Sequence, residues 1–498
     1  MHRYADISRF AERAAEAAPS DANARAALGL NLLRLGESKR GLEALRAAWE
    51  LDHYNARVFN LLELYEKHVE PFYEHVRSGP IDLLVHRDEA PMLAPYATAL
   101  LRRAYDDMRS RYGVTPDGPL QVELWNSRDE FSVSATGLPR LGLEGVCFGK
   151  VIMAISPAGS PANWGEVLWH ELSHVFHLKL SAHRVPRWFT EGLAEYETTS
   201  ARPEWKREED SALRDMVDGG RLPPVRDWDR AFLRPRSGAD LSAMYFASSL
   251  FARMLVDRYG FPKVRSLLVA WGAGMSTEEA FRATFGAGMD ELDRVFRESL
   301  VARWSAAAPD PWLDRDEADA RPRNDAVATL FRRAHRAARE QDTRAADQSL
   351  SALVSSGVDG YRIRMALADV REAQGDLRGL RVELERAAEL SPDAVDAWRR
   401  LWGLGKAIGD GALVRRAVFR VAEIDQHGAH AWVERVRFLA DDGAWKEALE
   451  ASESALYVAP YDVTLHRLRA RALAGLGRRA EAAVEEARAK DLGGGRTP

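Results

Sequence analysis

The apolar positions of this chain follow two periods in different stretches. Leu120-Gln121-Val122-Glu123-Leu124-Trp125 alternates at period two, as a half-buried strand does. Ile81-Asp82-Leu83-Leu84-Val85-His86 and Val151-Ile152-Met153-Ala154-Ile155 are two further strand candidates, the second ended by Ser156-Pro157. Residues 92–111 read as a helix, and from about residue 163 a helical pattern runs to about 304. Residues 306–323 carry three prolines among many charges and read as a linker.

A longer period overlies the C-terminal helices. Gly375, Gly409, Gly443 and Gly477 are spaced by 34 residues, and Pro392 and Pro460 by twice that. Trp398, Trp432 and His466 share the register, as do Ala387 with Ala455 and Ala448 with Ala482. This pattern resembles the tetratricopeptide repeat. The resemblance implies antiparallel helix pairs in which small residues allow close approach, Gly turns the hairpin and Pro separates the units. Units fall at about 327–360, 361–394, 395–428, 429–462 and 463–496, the first with Gln341 where Gly is expected. At the N-terminus, Leu28, Gly29, Gly36 and Ala48 fit a unit at 22–55, while residues 2–18 and 56–70 read as half-units. A chain that opens inside a repeat lacks a cap, so the expectation is that sequence upstream of Met1 is missing.

A length of 498 residues predicts two to four domains. The 70 basic and 75 acidic residues leave a net charge of −5, with no basic excess to draw nucleic acid. No apolar run reaches the length of a membrane span. Cys147 is the single cysteine, which rules out an intrachain disulfide and a multi-cysteine metal site. A metal would have to be held by His, Asp or Glu. The free thiol makes a cytoplasmic location the default, and a periplasmic or secreted one stays open if the N-terminus is truncated.

His170-Glu171-Leu172-Ser173-His174 lies in the helical segment 164–180. Positions i and i+4 share a helix face, so both imidazoles can reach one ion, and Glu171 lies about 100° further round. Downstream stands Pro186-Arg187-Trp188-Phe189-Thr190-Glu191-Gly192-Leu193-Ala194-Glu195-Tyr196, with 16 residues between His174 and Glu191. The two elements together resemble the gluzincin metallopeptidases, most closely the peptidase-MA-like group. The likeness covers about residues 80–300 and continues through 220–224, 243–249 and 256–260. It implies one Zn²⁺ ion held by His170, His174 and Glu191, and a zinc-activated water with Glu171 as general base. It further implies that Glu195 bonds the non-metal nitrogen of a ligand histidine. Tyr245, in a Tyr-x-x-Ser helix, is either the oxyanion donor or a core aromatic. The strand at 151–155 is either an edge strand that pairs with substrate backbone or an ordinary buried strand. A metzincin would need Gly at 177 and His at 180; His177 and Leu180 stand there. His177 reads as a helix histidine packed or solvated near the cleft, and His183 as a surrogate ligand without a supporting motif.

The expected fold is mainly α with a small α/β part: a thermolysin-like gluzincin domain between two tetratricopeptide-repeat segments. The boundaries are 1–75 for the first repeats, 76–305 for the peptidase domain (α/β part 76–160, helical part 161–305), 306–323 for the linker and 324–498 for the second repeats. The expected activity is zinc-dependent hydrolysis of a peptide or protein substrate, with the repeats binding substrate or a protein partner. The rival is a catalytically silent repeat scaffold. An endopeptidase is favoured over an aminopeptidase, because Gly149-Lys150-Val151-Ile152-Met153-Ala154-Ile155 lacks the acidic residue that captures a free amine in some gluzincins.

Overall fold

The computed structural model of the chain describes residues 4–140, 142–206, 210–304 and 325–494. The linker expected at 306–323 lies outside them. The chain divides into two units, one of residues 1–205, 248–289 and 439–498, the other of 206–247 and 290–438.

The first unit opens on α1 (Tyr4–Ala17), α2 (Ala22–Arg34), α3 (Ser38–Trp49) and α4 (Ala56–Glu63). Asp21 and Asn55 cap α2 and α4 by accepting from backbone N–H groups one turn in. A wider helical turn at Leu64–Val69 carries α4 into the short α5 (Glu70–Phe72). A hairpin follows, β1 (Tyr73–Ser78) antiparallel to β2 (Ile81–His86). Helix α6 (Ala90–Tyr112) crosses over to β3 (Leu120–Trp125), parallel to β2, and stops at Gly113, whose φ of 65° suits glycine. After α7 (Arg128–Thr136) come β4 (Gly145–Cys147) and β5 (Val151–Ile155).

The sheet order is β1-β2-β3-β5-β4. Of the two readings of 151–155 the buried strand holds: β5 is hydrogen-bonded on both sides, and all five of its residues are buried. Burial on both faces is also why it shows no alternation. The edge beyond it is β4, three residues with too short a pattern to read. The other edge, β1, is largely polar and exposed, and so lacks an apolar signal.

The N-terminal helices cover one face of the sheet. Leu33, Leu45, Val58, Leu61 and Tyr65 pack there on Leu84, Trp125, Val151 and Met153. Helices α6 and α8 (Trp164–Leu180) lie against the strands and each other, followed by α9 (Arg187–Ala201).

The second unit begins with α10 (Asp210–Asp218), α11 (Trp228–Leu233) and the start of α12 (Gly238–Tyr259). Residues of α12 from Ser248, with α13 (Phe261–Gly272) and α14 (Thr277–Phe285), belong to the first unit. There Trp188 of α9 meets Phe251 and Phe281 edge-on or stacked. Helix α15 (Met289–Trp304) completes the central part.

The repeats are helix pairs: α16 (Asp325–Arg339) with α17 (Thr343–Ser355), α18 (Tyr361–Ala373) with α19 (Leu377–Leu390), and α20 (Val395–Ile408) with α21 (Gly411–Ile424). Next come α22 (Ala429–Asp441) and α23 (Trp445–Leu456), then α24 (Val463–Gly475) and α25 (Arg479–Gly493). The four register glycines turn these hairpins at φ of 70°, 71°, 73° and 76°. Gln341 takes the same left-handed turn at 57°, without the glycine that suits it. An Asp after several of these turns caps the second helix: Asp342, Asp376 and Asp410.

The last repeat is part of the first unit. Tyr461 donates to the buried Glu89, which also accepts from Ser156 at 2.8 Å. Trp164 donates to the Leu456 carbonyl at 3.0 Å, and the Tyr457 ring lies where a side chain at Gly165 would stand. The base of α8 is therefore clasped by the end of the fourth repeat, residues 456–461.

Candidate metal centre

Helix α8 starts at Asn163, whose side chain accepts from the Glu166 N–H at 3.0 Å. From Trp164 to Leu178 every residue is buried. A helix buried all round normally carries no charge, yet this one holds Glu166, His170, Glu171, His174 and His177. Such groups persist inside only when they are paired or bind an ion.

Helix α9 supplies the pairing. His170 Nε2 lies 3.4 Å from Glu191 Oε2, and His174 Nε2 lies 3.5 Å from the same oxygen. Ligand atoms about 2.05 Å from one tetrahedral zinc ion stand roughly 3.3 Å apart. Each histidine nitrogen thus stands from the shared Glu191 oxygen at about the separation of two ligands on one ion, and the three ligand atoms lie within 4.8 Å of one another, a group that could hold a metal. Arg187 Nε faces the other Glu191 oxygen at 3.4 Å. Gly192 lets α9 approach the Ser248 backbone so closely that a side chain there would collide.

The electrostatics match a cation site. Burial opposes ionisation of Glu191, but the two histidines hold its carboxyl well below the usual range. Burial likewise lowers His170, and Glu191, Glu195 and Glu171 outweigh it, lifting the imidazole to about 9. Burial raises the Glu171 carboxyl, with His174 and His170 opposing. A carboxyl raised in this way is suited to taking up a proton. Glu171 rests against Gly145 of the edge strand β4, where a Cβ would come 2.9 Å from its Oε1.

Glu195 Oε1 lies 3.7 Å from His170 Nδ1, the nitrogen facing away from Glu191. Glu166, His170 and Glu195 form a second cluster of metal-binding type, sharing His170 with the first. Among the described residues no other such group exists, so His183 belongs to neither. Tyr245 lies in the second unit, half-buried, its ring 5.1 Å from Phe232. His177 is wholly buried. Glu166, Gly145 and Tyr112, a partner of His177, carried no signal in the sequence. Thr190 alone could have been noticed, as the residue before Glu191.

Comparison with known proteins fits this placement. Residues 103–302 match the Peptidase MA superfamily. No curated protein matches the chain. Among solved structures, it is similar to "Crystal structure of MamA protein" at 16% identity, covering 34% of this chain and 91% of that one with a TM-score of 0.25. It is also similar to "MamA MSR-1 C2" at 17% identity, covering 35% and 100% with a TM-score of 0.25. The matched stretch 103–302 spans α8 and α9 with all the side chains above, so the site lies within the part of the chain that is similar to the Peptidase MA superfamily.

Proposed function

We propose that the chain is a zinc-dependent metallopeptidase of gluzincin type, acting as an endopeptidase. The observation that carries the reading is the convergence of His170, His174 and Glu191 beside a buried Glu171 whose carboxyl is raised. These three would hold one Zn²⁺. Bound there, the ion would acidify a water and stabilise negative charge developing on the scissile carbonyl oxygen. Glu171 takes the proton of the attacking water and passes it to the leaving amine. Glu195 holds His170 in the tautomer that leaves Nε2 free for the ion. Edge strand β4 offers backbone groups to an extended substrate beside Glu171. In this reading 76–305 is the catalytic part, and the repeats at 1–75 and 324–498 bind substrate or a protein partner.

The absence of an acidic residue in 149–155 supports the endopeptidase assignment. Blocked peptides should then be cleaved as well as free-amine peptides. No helix among the described residues is long and apolar enough to cross a membrane. The deciding experiment pairs zinc content with turnover. Wild type should carry about one zinc per chain, and Glu171→Gln should keep it while losing roughly 10²–10⁴-fold in peptide hydrolysis. Wild-type turnover in that variant would refute the general-base role, and a metal-free wild type would favour the silent scaffold.

A further inference from the structure

A line of buried side chains leads away from the candidate ligand His174. Its Nδ1 lies 2.8 Å from Thr190 Oγ1, and His177 Nδ1 lies 3.0 Å from the same oxygen. His177 Nε2 is 2.7 Å from the Tyr112 hydroxyl, which donates to Glu197 Oε1 at 2.7 Å. Glu197 Oε2 meets Arg111 at 2.8 Å. Thr190, His177, Tyr112 and Glu197 are buried, and Arg111 is 24% exposed.

The donors in this line can run in one direction only. His174 turns Nε2 towards Glu191, so a metal there takes that lone pair and leaves the proton on Nδ1. Thr190 accepts this N–H and has one proton of its own, which goes to His177 Nδ1. The proton of neutral His177 therefore sits on Nε2 and is donated to Tyr112. The single phenolic proton passes to Glu197, an ionised acceptor with Arg111 on its far oxygen. Reading inwards from the carboxylate requires the same order, because an ionised Glu197 can only accept. The Tyr112 ring is itself held by Phe176 and Phe261.

A histidine buried only for packing needs two acceptable partners and no particular route between them. Here each link is a side chain, and the route joins a metal ligand to a buried charge. We infer that Thr190, His177, Tyr112 and Glu197 are positioning residues for the metal, orienting His174 and strengthening it as a ligand through the Glu197 charge. The inference rests on the metal-site reading above and deepens it. Supporting groups of this kind tune affinity without touching the ion.

Zinc affinity of the full chain, measured by chelator competition at pH 8 and backed by the absorption spectrum of the Co²⁺-loaded protein, tests it. That pH keeps Glu197 ionised, since burial, opposed by Arg111 and Tyr112, raises its carboxyl to about 7. Tyr112→Phe removes one oxygen and keeps the ring; zinc affinity should fall roughly ten-fold. Thr190→Val should lose roughly 10- to 100-fold, while Thr190→Ser, which keeps the hydroxyl, should stay within about two-fold of wild type. Glu197→Gln keeps an acceptor without the charge, and its loss should lie between those of Thr190→Ser and Tyr112→Phe. If Tyr112→Phe and Glu197→Gln fold, by circular dichroism, and bind zinc as tightly as wild type, the relay is overturned. A wild type that binds zinc but cleaves no peptide removes the catalytic reading and leaves these affinity ratios to decide the relay. A wild type that binds no zinc overturns both.

Discussion

Two wholly buried histidines show how differently the metal helix and the last repeat are built. His177 bonds to Thr190 and Tyr112, the latter 65 residues away in sequence on another helix. His466 bonds to Glu485 at 2.7 Å and to the Pro460 carbonyl at 2.8 Å, only 19 and six residues away. The repeat position of His466 is the position of Trp398 two periods earlier, and Trp398 donates to the Pro392 carbonyl at the same offset of six. One ring nitrogen of His466 thus does what the tryptophan N–H does, and the other is free to serve Glu485. The lesson is one of scale. Both His466 nitrogens find partners within 19 residues, and only Glu485 reaches further, to Tyr96 of α6, whereas every link from His177 leads to another helix.

If the contrast is sound, the largest effect should follow from His466→Ala. It leaves Glu485 buried with one donor fewer and opens a cavity, and should lower the unfolding free energy by about 2–4 kcal/mol in a urea titration. Trp398→Phe, at the equivalent position, should cost about 1 kcal/mol. Neither should alter zinc affinity, and a change there would erase the distinction between the two regions.

Acid should sharpen the same contrast. Burial works against ionisation of Glu485, but His466, Tyr96 and Arg469 outweigh it and bring the carboxyl to about 2. A carboxyl lowered by folding stabilises the fold fully above its unfolded range near 4–4.5, and that contribution disappears as pH falls through about 2. Denaturation at pH 5 and pH 3 should show the loss, and Glu485→Gln should flatten it. An unchanged slope in that variant would remove Glu485 from the account.

A smaller effect is expected from Glu195→Gln, on the His170 side of the metal. Zinc affinity should drop about ten-fold while thermal stability barely moves. The reverse outcome would make Glu195 a packing residue. Smallest of all, Gln341→Gly should stabilise the first C-terminal hairpin by roughly 0.5–1 kcal/mol, since only glycine takes positive φ without strain. A loss on that substitution would mean the left-handed turn is not what the 34-residue period encodes.

Much of the architecture was legible for local reasons. The segment 164–180 read as a helix is α8 with the same bounds, and 81–86, 120–125 and 151–155 are strands. The register glycines fell at the hairpin turns because a left-handed residue is needed there whatever surrounds it. His170 and His174 share a face because they stand at i and i+4, and Glu191, named through the family resemblance, meets them from the next helix. What went unread was non-local. Whether β5 lies at the edge stayed open, and the edge fell to β4, because strand order depends on crossovers rather than on the composition of either strand. Glu166 and Tyr112 carry no local pattern that sets them apart, and their partners lie on other helices.

By itself the sequence determined the periods, the caps and turns, and the spacing of His170, Glu171, His174 and Glu191. Each of these follows from backbone geometry over a few residues. Tertiary structure decided which strand closes the sheet, that the end of the fourth repeat clasps the start of α8, and that Thr190, His177, Tyr112 and Glu197 join into one line. Those outcomes require segments far apart in the chain to be brought together, and only the packed core sets which of them meet.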